Sequence, residues 1–174
     1  MDPAFTGKPK SWYRRNLGSN GDPPPASSAL PWEYTSIGAH AGAKALGVSS
    51  SGGIASWELE GTVAAVNNLD NRGKGGFASV IPGDTYRASV WMRKSGAGGA
   101  GRIVGQPMNG GSDADSNVAS GAGSAELSAD TGGSWVQISK EVKATAPYMS
   151  IRLYGIDIPM GQHVYFDDVS LTRI

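Results

Sequence analysis

The chain has no cysteine, which excludes disulfide staples, thiolate zinc sites and cysteine nucleophiles and leaves the redox compartment undetermined. It has no net charge either: 15 Lys and Arg balance 15 Asp and Glu. No whole-protein field draws it to nucleic acid or to an anionic membrane, and neither is an expected partner. No apolar run is long enough to span a bilayer, and residues 1–16 are polar and basic where a secretory signal would be apolar. Imidazoles are scarce. Only His40 and His163 occur, without a G-x-S-x-G or a metal-type neighbour at helical spacing, so histidine-based catalysis is not expected.

What the chain does have is 26 glycines and 10 prolines in 174 residues, enough length for one domain with a real core and too little for two. Residues 1–25 carry Trp12-Tyr13-Arg14-Arg15 and end in Pro23-Pro24-Pro25, which reads as an extended arm. The remainder, 26–174, reads as one β domain. From Pro31 onward, short β-type runs alternate with clusters of Gly, Ser, Asn and Asp, and no amphipathic helix stands out.

The clearest strand is Thr85–Arg93, launched by the turn Pro82-Gly83-Asp84. Its alternation sends Tyr86, Ala88, Val90 and Met92 to one face and Arg87, Ser89, Trp91 and Arg93 to the other. Tyr148–Gly155 repeats the pattern, with Met149, Ile151 and Leu153 opposite Tyr148, Ser150, Arg152 and Tyr154. Trp135–Val142 does so with Val136, Ile138 and Val142. Segments that bury one side each predict an antiparallel sandwich. The stretches 96–101 and 110–133 are rich in Gly, Ser, Ala and Asp and read as surface connections.

Several motif matches fail in context. Gly96-Ala97-Gly98-Gly99-Ala100-Gly101 satisfies G-x-G-x-x-G but opens no helix. Asp113-Ala114-Asp115-Ser116-Asn117 begins like a calcium loop, yet position six is Val118 rather than Gly and position twelve is Ser124 rather than Glu. Glu58 and Glu60 share one face of a short strand, as a glycosidase pair would, and a solvated strand face accounts for them equally.

The closing run His163-Val164-Tyr165-Phe166-Asp167-Asp168-Val169-Ser170-Leu171 sets two carboxylates inside an apolar, β-forming segment. A charge inside a packed strand costs several kcal/mol unless it meets a cation, a metal or several donors. The pair therefore predicts a structural job. Capping a turn and pairing with Arg both satisfy that requirement.

In their order, these pieces resemble the carbohydrate-binding jelly rolls of bacterial glycanases, the xylan- and glucan-binding type within the galactose-binding-like group. The resemblance rests on Asn20-Gly21-Asp22, Trp32, Gly42-Ala43-Lys44-Ala45-Leu46, Pro82-Gly83-Asp84-Thr85-Tyr86, Ser89-Val90-Trp91, Gly133-Ser134-Trp135 and Tyr165-Phe166-Asp167-Asp168-Val169-Ser170-Leu171, and covers residues 16–174. It implies an all-β, antiparallel jelly-roll β-sandwich behind the arm. It also implies a structural calcium held by Asp167, Asp22 and the main-chain oxygen of Lys44, an ion suited to carboxylate and carbonyl oxygens in flexible geometry. Pro23-Pro24-Pro25 departs from the family pattern, which has an apolar residue and an acid there.

The resemblance further implies sugar bound across a sheet by aromatic rings and planar polar groups. The chemistry is sound, because pyranose C–H faces stack on aromatic surfaces while amides and guanidinium groups bond hydroxyls. Arg87, Trp91, Gln106, Arg152 and Tyr154 are the candidates, expected to share one surface; Trp91 and Tyr154 also suit a second packed layer or a protein interface. The function expected is non-catalytic glycan binding, extracellular or at a virion surface. There the module would serve attachment as a bacteriophage tail or capsid component, with the arm meeting other virion proteins. The alternative is a structural capsid-decoration or tail-assembly protein that reuses the fold without binding sugar.

Overall fold

The computed structural model describes residues 13–15, 32–35, 39–41, 45–49, 55–61, 77–110 and 117–174. These residues form eleven strands: β1 (Tyr13–Arg15), β2 (Trp32–Thr35), β3 (Ala45–Ser49), β4 (Ala55–Gly61), β5 (Ala78–Ser79), β6 (Thr85–Lys94), β7 (Ala100–Met108), β8 (Gly123–Leu127), β9 (Val136–Lys143), β10 (Tyr148–Ile158) and β11 (His163–Arg173). Every pairing is antiparallel. One sheet runs β1-β4-β10-β7-β8, with β5 also on β10; the other runs β2-β3-β11-β6-β9. Among the described residues there is no helix long and apolar enough to cross a membrane.

The period-2 pattern explains why the sheets face each other. In β6, Ala88, Val90 and Met92 are fully buried, and in β10 so are Met149, Ile151 and Leu153. With Leu46, Val48, Ile103, Val164 and Phe166 all of these but Met149 form the main core cluster; Met149 packs in a second one with Val80, Tyr86 and Val142. Each of these Val, Leu, Ile, Met and Phe side chains, taken out of water, contributes about 1.5–3 kcal/mol. Two glycines let the sheets approach closely. A Cβ on Gly101 would lie 2.8 Å from Val164 Cγ1, and one on Gly155 would lie 2.7 Å from Val48 Cγ1. The β6 launching turn forms as expected: Gly83 takes φ +97°, Gly83 N–H donates to Ala144 O at 2.7 Å, and Ile81 N–H donates to the Tyr86 hydroxyl at 2.9 Å.

Four details differ from the sequence reading. Gly123–Leu127, inside the stretch taken as a connection, is strand β8, paired with β7. Likewise Ala100 and Gly101 open β7 rather than closing a loop, and Gln106 sits within that strand. β9 is an edge strand on which Val136 is exposed and only Val142 is fully covered, because one of its sides has no strand beyond it. Tyr13–Arg15, placed in the arm by sequence, pair as edge strand β1 with β4; the rest of 1–25 lies outside the described residues.

One buried cation helps fix the turns. Lys94, at the end of β6, is 1% exposed. Its Nζ donates to Gly99 O at 2.6 Å, Ser128 O at 2.5 Å and Ala97 O at 3.4 Å, tying the β6–β7 turn to the segment after β8. Burial pushes the ammonium below its ordinary pKa of 10.5, and Asp130 and Glu126 pull partly the other way.

Candidate functional site

The outward side chains of β6 form the floor of a groove on the five-stranded sheet. Register places them in rows across three strands: Thr172, Arg87 and Glu141; then Ser170, Ser89 and Ser139; then Asp167, Trp91 and Gln137. The groove encloses about 740 Å³ and is lined by Arg87, Ser89, Gln137, Ser139, Glu141 and Ser170 among others. Ser89 Oγ and Ser170 Oγ lie 2.6 Å apart and share a hydrogen bond. Arg87 Nη2 donates to Glu141 Oε1 at 2.8 Å, both side chains about half exposed. An ion pair so open to water contributes only about 0.2–1 kcal/mol. Its consequence is orientation, since it holds a guanidinium and a carboxylate side by side on the rim.

Beyond the polar rows, the same face turns aromatic. The His40 ring stacks on Trp91 with centroids 3.9 Å apart and planes 17° from parallel, and meets Trp135 edge-on at 5.8 Å. The Arg93 guanidinium lies over Trp135 at 5.2 Å and over Tyr165 at 4.6 Å, and His163 stacks on Tyr165 at 5.5 Å. Trp91 stands where the aromatic and polar parts meet.

A β-bulge in β11 brings in His40. Register between β11 and β6 shifts between Asp167 and Ser170, and Asp168 takes φ +46°, a region Asp visits more readily than most residues. Both carboxylates thereby reach the 39–41 segment. Asp167, 3% exposed, accepts the His40 N–H at 2.9 Å and the Ala41 N–H at 3.2 Å on Oδ2, and the Asp168 N–H at 2.9 Å on Oδ1. Asp168 Oδ2 lies 2.7 Å from His40 Nδ1.

These bonds supply the structural job predicted for the closing carboxylates. Three N–H donors already satisfy Asp167, and among the described residues no group of three or more His, Asp or Glu is placed to hold a metal ion. Asp22 and Lys44, the other expected calcium ligands, lie outside the described residues.

The five candidate ligand residues are divided between the two sheets. Arg87 lines the groove, and Trp91 stands beside it on the same strand, in register with Gln137. Gln106, Arg152 and Tyr154 lie on β7 and β10 of the other sheet, so the expected single surface does not exist. Arg152 and Tyr154 are half-buried there, and Tyr154 pairs in register with Arg102, whose guanidinium holds Glu126 by two bonds of 2.9 and 2.6 Å. Glu58 and Glu60 of β4 pair in register with Tyr154 and Arg152. Gln106 is buried, and its Nε2 donates to Pro107 O at 3.0 Å and to Ala119 O at 2.7 Å, which uses both amide protons inside the protein. Sequence reasoning missed Ser89, Gln137, Ser139 and Ser170 as site residues. The signal was present for Ser89, two residues before Trp91 on the same strand face.

No family model matches the sequence, and no curated protein does. Solved structures do match. A family 61 carbohydrate-binding module in complex with β-1,4-galactotriose is 15% identical, with a TM-score of 0.59 over 97% of this chain and 92% of that one. A family 22 xylan-binding domain from Paenibacillus barcinonensis is 11% identical, with a TM-score of 0.54 over 94% and 86%. The enzymatically active domain of bacteriophage CBA120 tailspike protein 4 is 9% identical, with a TM-score of 0.64 over 96% of this chain and 20% of that one. At such identities the likeness is one of fold.

Proposed function

A chain with the jelly-roll fold of carbohydrate-binding modules carries a groove on one sheet, and we propose that it is a non-catalytic glycan-binding module that uses this groove. The observation that carries the reading is the three-row floor. Hydroxyls of Ser89, Ser139 and Ser170, the Gln137 carboxamide and the Arg87–Glu141 pair stand together, with the Trp91 ring at one end. Hydroxyls and amides donate and accept, and a guanidinium offers a planar fork, so a polyhydroxylated ligand finds both partners for each O–H. A ring supplies the apolar contact that the sugar's C–H face needs. The polar floor is preformed, and the Trp91 face, on which the His40 ring stacks, joins it when that ring gives way.

The fold neighbours named for galactotriose and xylan support a neutral polysaccharide as the ligand class. The tailspike neighbour supports an attachment role, extracellular or at a virion surface, with the module as part of a larger assembly. A structural decoration protein is the competing reading. A glycan array carrying β-1,4-galacto-oligosaccharides and xylo-oligosaccharides separates the two. Saturable binding that Gln137→Ala weakens supports the module, and no binding by a folded wild-type protein moves the assignment to the decoration protein.

A further inference from the structure

We propose that the 39–41 segment is a built-in competitor for the glycan, with the His40 imidazole seated on the Trp91 ring face that a sugar would use. This rests on the glycan-binding reading and concerns how that same site is regulated.

The stacking is too close for anything to enter between the rings. Their 3.9 Å centroid separation lies below the usual range for aromatic pairs, about 4.5–7 Å. The imidazole occupies the Trp91 face on which a sugar's C–H face would otherwise stack. Trp91 is half-buried, and the His40 ring is stacked on it nearly parallel.

Two holds of different character keep His40 there. The first is the buried Asp167 carboxylate, which takes the main-chain N–H groups of His40 and Ala41 and so fixes the backbone of the segment. The second is Asp168 Oδ2, which holds the ring through Nδ1 at the surface, with the two side chains 28% and 42% exposed. The second hold is the exchangeable one. Water and ligand hydroxyls reach it, and its loss lets the ring leave Trp91 while the backbone anchor stays. The bulge is thus a two-part device: one carboxylate anchors the segment and its neighbour sets the imidazole over the platform.

His40→Ala removes the ring and keeps the N–H on Asp167. Asp168→Gly removes the second hold at a positive-φ position that glycine accepts without strain. Titration of β-1,4-galactotriose and of a xylo-oligosaccharide into wild type and both variants tests the proposal, beside acrylamide quenching of tryptophan fluorescence without ligand. His40→Ala is expected to bind about two- to ten-fold more tightly, through the loss of one aromatic pair, with Asp168→Gly shifted the same way by less. Quenching should rise in His40→Ala, and that rise should vanish when Trp91→Phe is added. Glycan bound by wild type but equally or more weakly by His40→Ala overturns the proposal and leaves the glycan-binding reading intact. Failure of every protein to bind either sugar, with quenching changed as expected, overturns the reading and the competitor role with it.

Discussion

Asp167 accepts the main-chain N–H of His40 at 2.9 Å from a position 127 residues further along the chain. The carboxylate is buried and takes two further N–H groups, so removing it leaves three donors without a partner. Asp167→Ala is expected to cost about 2–4 kcal/mol, since stranded buried donors cost about 1–3 kcal/mol and those at the surface recover water. The urea midpoint of the variant measures it. A loss under about 0.5 kcal/mol contradicts the clamp.

Lys94 gives a second prediction, with a defined pH direction. Its folded pKa is lowered by burial, so between that value and 10.5 the unfolded chain holds more protons than the folded one. Over that window this group makes stability rise with pH. Below the window both states are protonated and its contribution is constant. Lys94→Met removes the effect and also strands the carbonyls of Gly99 and Ser128, at about 1–3 kcal/mol. Urea unfolding of both proteins from about pH 8 upward should show the wild-type advantage widening as pH approaches 10.5.

Gly155 tests the close approach of the sheets. A Cβ there would lie 2.5 Å from Ile158 Cδ1 and 2.7 Å from Val48 Cγ1. Gly155→Ala is expected to destabilise by about 1–3 kcal/mol through overpacking, with thermal melting as the readout. The variant joined to Val48→Ala should recover part of the loss, because the clash and the new space then coincide.

Gln106 separates support from recognition. Both of its Nε2 protons serve main-chain carbonyls, of Pro107 in β7 and of Ala119 in the connection before β8, away from the groove. Gln106→Ala should therefore lower the melting temperature, at a cost of about 1–3 kcal/mol, and leave glycan affinity unchanged.

Much of the fold was legible because apolar and polar residues alternate along most of β6 and β10, so that each strand buries its apolar face. Gly123–Leu127 was not legible. Its Gly-Ser-Ala-Glu-Leu sequence has weak strand propensity, and its place is set by pairing with β7. The groove was half legible: Arg87 and Trp91 follow from the outward face of one strand, whereas which strands share a sheet is long-range information. That is why Arg152 and Tyr154, equally outward on β10, were grouped with a surface they do not share. The partner of the closing carboxylates was hidden for the same reason, because nothing local links His40 to Asp167 and Asp168.

Calorimetric titration of a glycan positive on the array into wild type, Arg87→Ala with Gln137→Ala, and Tyr154→Ala tests the central claim most directly. Binding lost by at least about ten-fold in the groove variant, a change of about 1.4 kcal/mol, and kept in Tyr154→Ala is the predicted result. Binding kept in the groove variant and lost in Tyr154→Ala would place recognition on the six-stranded sheet and contradict the account.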